Sequence, residues 1–114
     1  MQLEPFLAQL QQNPGQIEFT DTMSVIDANY QFNPTAFNNG SLSNAADQNN
    51  GSCKIFAFGK LNDLSEQQTL ACFGAYYRDD VLQNPDGDDH QNIRNFMQTG
   101  WNSIKFENTA LVAK

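Results

Sequence analysis

The sequence predicts an α+β domain: four to five helices packed with a small antiparallel sheet around a single core. Three observations carry that reading. Apolar residues recur at helical spacing in several separate stretches. Short alternating or turn-bounded segments near residues 31–39 and at the end of the chain have the texture of strands. The 114 residues, nine of them Phe and three Tyr, with one Trp, are enough for one aromatic-rich core, and no repeat or linker divides the chain into two.

Leu3, Phe6, Leu7 and Leu10 fall on one face of a short helix that Asn13-Pro14-Gly15 ends. Phe19, Met23, Ile26 and Tyr30 continue at helical spacing and predict a second helix over 16–29. From Gln31 to Asn39 the period breaks, and an extended segment ending at the Asn39-Gly40 turn is expected. Residues 38–52, rich in Asn, Gln, Ser and Gly, read as a loop with a short strand near Leu42. Ser52 is placed to cap a helix carrying Cys53, Phe56, Ala57 and Leu61. Ser65 and Gln68 match a capping box, followed by the apolar stripe Leu70, Phe73, Gly74, Tyr77 and Val81. After the Asn84-Pro85-Asp86-Gly87 turn, Asp88 or Asp89 is expected to cap a helix with Ile93, Phe96 and Met97 inward and Gly100 as its end. Ile104 and Phe106, then Leu111, suggest a terminal hairpin, with the C-terminal strands pairing the segment at 31–39.

Thirteen acidic residues against six basic ones give a net charge of -7. Nucleic acid and anionic membranes need clustered cations and are poor partners. A cationic protein surface or a metal cation fits the charge better; a protein partner or a small ligand is expected, and no cofactor. No basic and apolar leader precedes the first helix, no apolar run is long enough to span a membrane, and the two cysteines form no C-x-x-C pair. A reducing, cytosolic setting fits these features.

Three constellations bear on chemistry. Asp79, Asp80, Asp86, Asp88 and Asp89 lead into the only histidine, His90. Oxygen-rich clusters with an imidazole suit divalent cations. The EF-hand register nevertheless fails: with Gly87 sixth, Leu82 falls first and Ile93 last. No zinc motif is present, no metal ligand set is assigned, and Asp residues before a helix serve equally as caps. Cys53, with Gly51-Ser52 before it and Lys54 after it, would lie in a first helical turn, where a thiol is activated. With His90 as base and Asp86, Asp88 or Asp89 as orienter, the parts of a cysteine hydrolase would be present. A core cysteine is the alternative. Finally, Gln91, Arg94 and Asn95 form an amide-rich helix face. With Arg78, Asp79 and Asn92 it makes a candidate surface for a ligand or partner, or a fastening for the loop at 38–52.

The residues also resemble a known family. Phe73-Gly74-Ala75-Tyr76-Tyr77-Arg78, Val81-Leu82, Asn84-Pro85 and Asp89-His90-Gln91-Asn92-Ile93-Arg94-Asn95-Phe96-Met97 are similar to the HopJ type III effector family. Ile17-Glu18-Phe19, Val25-Ile26-Asp27, Pro34-Thr35-Ala36-Phe37-Asn38-Asn39-Gly40, Gly51-Ser52-Cys53-Lys54, Gly100-Trp101 and Ile104-Lys105-Phe106 agree with it. The resemblance runs from about Ile17 to Phe106 and departs at Ala75, where the family pattern is acidic, and at Asn29, where it commonly has histidine. It implies a bacterial protein linked by name to type III secretion, and no catalytic residues carry over. The amphipathic helix beginning at Leu3 is unlike the unstructured, Ser- and Thr-rich leaders of such secretion. A binding domain is the leading expectation. The alternatives are a cysteine hydrolase using Cys53, His90 and Asp89, or a divalent-metal site at His90 and its aspartates.

Overall fold

The segment Asn50–Leu61 carries Cys53, Ile55, Phe56, Ala57, Phe58 and Gly59, all buried, with scarcely a polar stripe between them. A helix that is apolar on nearly every side must be covered on every side. In the computed structural model, which describes residues 2–114, the other elements do so. In chain order they are α1 (Leu3–Gln12), α2 (Phe19–Asn29), β1 (Tyr30–Phe32), β2 (Phe37–Asn39), β3 (Leu42–Asn44), the central α3 (Asn50–Leu61) and α4 (Glu66–Ala71). A π-helical turn (Tyr76–Val81), α5 (Gln91–Thr99), β4 (Ile104–Phe106) and β5 (Leu111–Ala113) complete the α+β architecture.

Phe56 is the hub of the core. It is fully buried, and its ring lies 4.9 Å from Phe96, 5.6 Å from Phe73, 6.1 Å from Phe37 and 6.4 Å from Trp101, centroid to centroid. One turn along α3, Gly59 lets Trp101 approach. A Cβ there would come within 2.8 Å of the indole, which donates from Nε1 to the Leu64 carbonyl at 3.0 Å.

The terminal strands do not form a hairpin with each other. β5 pairs antiparallel with β1, with Tyr30 opposite Ala113 and Phe32 opposite Leu111. β4 pairs with β2, and β3 covers β2's other edge, giving the order β3-β2-β4. Phe37 opposite Phe106 and Asn39 opposite Ile104 continue the register that β1 and β5 would reach if extended. Two main-chain bonds bridge the gap: Asn33 N–H to the Ala110 carbonyl at 2.7 Å, and Glu107 N–H to the Ala36 carbonyl at 2.9 Å. Pro34, which has no N–H, falls between them, and Thr35 turns its hydroxyl in to accept from Asn108 N–H at 3.0 Å. Segments 31–39 and 104–113 thus run as one interrupted antiparallel pair.

Elsewhere the local chemistry decides the boundaries. The Ser65–Gln68 capping box forms as the sequence predicts, starting α4. The apolar stripe behind it is not one helix. α4 stops at Ala71, and Gly74 adopts φ +62° where a Cβ would lie 2.6 Å from the Phe19 backbone nitrogen, so only glycine fits. α2 begins at Phe19 rather than near residue 16, after a short turn at Pro14–Gln16. On α5, Ile93 and Phe96 face inward as expected, but Met97 is exposed and Asn92 is buried in its stead.

Truncating Phe56→Ala removes the ring that four aromatic neighbours share. Urea denaturation is expected to show a loss of about 3–5 kcal/mol, the usual cost of emptying such a site.

Candidate functional site

Two helices begin on residues in the left-handed conformation. Asn49 precedes α3 at φ 54°, and His90 precedes α5 at φ 50°. Asn and His are among the side chains that tolerate this region. Neither helix receives a side-chain cap. The expected caps are otherwise engaged. Ser52 lies inside the first turn of α3 instead of before it, and Asp88 and Asp89 stand ahead of His90, where Arg94 takes the Asp89 carboxylate at 2.6 Å. The first-turn N–H groups of Asn50, Gly51 and Ser52, and those of Gln91, Asn92 and Ile93, accordingly have no hydrogen-bond acceptor among the described residues.

Both N-termini open into one cavity of about 600 Å³. Its lining joins a polar set, Asn49, Gly51, Ser52, Gln91 and Asn92, which we call the floor, to an aromatic set, Phe19, Phe73, Tyr76 and His90, which we call the wall, with Leu42 and Ile93 completing it. Phe19 meets Tyr76 edge to face at 5.0 Å, and the Tyr76 ring lies 5.2 Å from that of His90. The π-helical turn, in which Leu82 N–H reaches the Tyr77 carbonyl five residues back at 3.0 Å, carries Tyr76 and Asp80. Asp80 Oδ2 lies 3.1 Å from His90 Nε2, and Asp89 Oδ2 lies 3.8 Å from the same nitrogen. The Arg94 guanidinium holds the Asp89 carboxyl below the ordinary carboxylate range, with His90 adding a smaller effect of the same sign.

Behind the cavity floor is a network of asparagine amides. Asn92 Oδ1 accepts from Asn39 Nδ2 at 3.1 Å and from Asn44 Nδ2 at 3.2 Å, while Asn92 Nδ2 donates to Asn44 Oδ1 at 2.9 Å. Asn49 Nδ2 donates to the same Asn44 oxygen at 2.7 Å, and Asn95 Nδ2 to the Asn39 carbonyl at 3.1 Å. The β2–β3 hairpin, the start of α3 and the first turns of α5 are thereby locked together. Buried polar groups of this kind specify one arrangement when they satisfy one another.

The structure separates the residues that the sequence grouped. His90, Gln91 and Asn92 line the cavity. Arg94 instead pins the preceding loop, donating to the Asp89 and Asn84 carbonyls at 2.6 and 2.9 Å, and Asn95 fastens β2. Arg78 donates to the Ile17 carbonyl at 2.7 Å, beside Glu18. Asp79 is exposed on the π-helical turn. Cys53 is 1 % exposed, and its thiol is directed at the Thr35 carbonyl, 3.8 Å away; it is not part of the cavity lining. Burial raises its pKa, and burial pushes the Cys72 thiol up to about 12. His90 therefore meets Asp80, Asp89 and Tyr76, and no contact joins it to Cys53 among the described residues. No group of three or more His, Cys, Asp or Glu side chains among the described residues is arranged to hold a metal ion. Phe19, Asn49 and Tyr76 were not legible as lining residues, and Asp80 only as one aspartate of the run before His90, because only the π-helical turn and the approach of α2 to α3 bring them together.

Fold and site thus define a small α+β protein with an aromatic-walled, donor-floored cavity at two helix N-termini. The chain belongs to the HopJ type III effector protein family, whose model matches residues 3–111. It is similar along its whole length to the crystal structure of the unknown-function protein VPA0580. That protein is 60 % identical, with a TM-score of 0.98 over 100 % of this chain and 95 % of the other. No curated protein matches the sequence significantly. No helix among the described residues is long and apolar enough to cross a membrane.

Because burial raises both thiol pKa values, the thiolate population near neutral pH is small and grows only as the solution becomes alkaline. Iodoacetamide is expected to modify native protein far more slowly than urea-unfolded protein at the same pH, as followed by intact mass. Rapid native alkylation at Cys53 would show instead that the thiol is open and activated.

Truncating Asn92→Ala strips acceptors from Asn39 and Asn44. The expected loss is about 1–3 kcal/mol for the three buried amide hydrogen bonds removed, measured by thermal or urea unfolding.

Proposed function

We propose that the chain is a ligand-binding domain whose site is the cavity between α3, α5 and the π-helical turn. The ligand is small, presents a hydrogen-bond acceptor to the two helix N-termini, and lays an apolar or aromatic face against Phe19 and Tyr76. One observation carries the reading: two helices without side-chain caps open into the same aromatic-walled cavity. Helix N-termini attract acceptors and anions, because their amides are unpaired and the helix dipole favours negative charge there. A concave site with an apolar wall and a few convergent polar groups is the usual form of a small-molecule site. The net charge of -7 does not oppose this locally, since Asp80 and Asp89 face His90 and Arg94. A protein partner would present a cationic surface, and the setting that fits best is the bacterial cytoplasm; type III export, which the family name implies, is not supported by the helix that begins at Leu3.

Benzoate combines a carboxylate with a ring and serves as the probe. In a titration followed by amide NMR of the full chain, shifts are expected to concentrate at Gly51, Ser52, Tyr76, Gln91 and Asn92. A flat titration into the millimolar range, or changes spread evenly over the surface, would overturn the reading.

A further inference from the structure

We infer that this cavity is also an active site, in which His90, held by Asp80, takes a proton from a water molecule that attacks a small carboxylic ester. The inference rests on the binding reading above and adds chemistry to it. Asp80 Oδ2 lies 3.1 Å from His90 Nε2. A carboxylate at one ring nitrogen fixes the proton there and leaves the other nitrogen as acceptor, the arrangement in which an imidazole serves as a general base. Nδ1 has no hydrogen-bond partner among the described residues. Tyr76, 5.2 Å from the imidazole ring, limits how it can turn. The His90 side chain is 29 % exposed, so the base is at the cavity edge, where water reaches it. In the lining of the same cavity, the residues at the start of α3 and of α5, which follows His90 directly, carry unpaired amides that form a ready donor set for negative charge developing on a carbonyl oxygen. His90 and the helix-start residues that carry these amides line one space, and Asp80 holds His90 from outside that lining, an arrangement suited to acyl transfer.

The step balances without a further reactant. Water gives one proton to Nδ1 as its oxygen bonds to the ester carbonyl carbon, and the carbonyl electron pair moves onto oxygen, beside the amides. When that pair returns, the bond from carbon to the alkoxy oxygen breaks. The leaving oxygen takes the proton from Nδ1, releasing an alcohol and a carboxylic acid and restoring neutral His90. Water is the nucleophile here, because Cys53 is directed at the Thr35 carbonyl and no hydrogen bond joins Ser52 to His90 among the described residues. Asp80 acts as a positioning residue.

The test is hydrolysis of p-nitrophenyl benzoate by the full chain, with benzoate binding by NMR measured in parallel on every variant. The wild-type chain is expected to hydrolyse the ester faster than buffer. His90→Asn should lower kcat by about 100-fold or more, the usual weight of a general base. Asp80→Asn should lower kcat while leaving KM and benzoate binding unchanged, a split that simple loosening of the fold would not give. Benzoate binding without hydrolysis above buffer would overturn the catalytic inference and leave the binding reading standing. Equal rates in wild type and His90→Asn would also overturn it. A nitrophenol burst that disappears in Ser52→Ala would overturn direct attack by water. Absence of both binding and hydrolysis would remove the inference and the binding reading together.

Discussion

Burying α3 on every side is the constraint from which the rest follows. A helix apolar all round has no surface to offer solvent except at its ends, so its contribution to function is confined to them. Phe56 and Phe58 fix its rotation, and Gly59 lets Trp101 close the far side, so the helix axis has little freedom left. Its N-terminal amides consequently point in a direction set by core packing and not by a loop. The cavity end of the molecule inherits its rigidity from residues that do not line the cavity.

The second helix N-terminus is set by polar means. α5 buries Asn92 where an apolar side chain would have been the simpler choice, and the amide network it joins reaches the β2–β3 hairpin and Asn49. Apolar packing alone would allow α5 to slide, whereas paired amides accept one register. The arrangement is not free of cost. Asn39 Oδ1 is the buried side-chain oxygen left without a partner among the described residues. An interior of this kind trades some stability for a single alignment of two helix starts.

Much of the fold was legible because its determinants are local. The periodicity of α1, the Ser65–Gln68 capping box, the Asn39-Gly40 turn and the glycine after α5 each act within a few residues. The failures share the opposite property. The pairing of the C-terminal strands with segment 31–39 was expected and forms, but the hairpin expected between β4 and β5 does not, because Pro34 divides that one antiparallel pair into two ladders. Hydrophobicity alone puts Met97 inside and Asn92 out, and the order reverses because Asn39 and Asn44 wait across the interface. At the site, His90, Gln91 and Asn92 were visible as a polar run at a helix start. Asp80 was visible only as one aspartate among several, because the partner of a lone histidine is chosen by tertiary geometry. The same holds for Cys53: its neighbours Gly51, Ser52 and Lys54 suggest activation, while its own side chain is turned into the core.

The π-helical turn has a consequence for how this chain could change over time. Such a turn holds one residue more than an α-helical turn would, and it tends to occur where a side chain must be re-aimed. Here Tyr76 and Asp80 both belong to it, and each meets His90. Loss of one residue from 76–81 would restore ordinary helical hydrogen bonding and re-aim the side chains that follow it, Asp80 among them. In this protein, chain length over one turn therefore decides which side chains face His90.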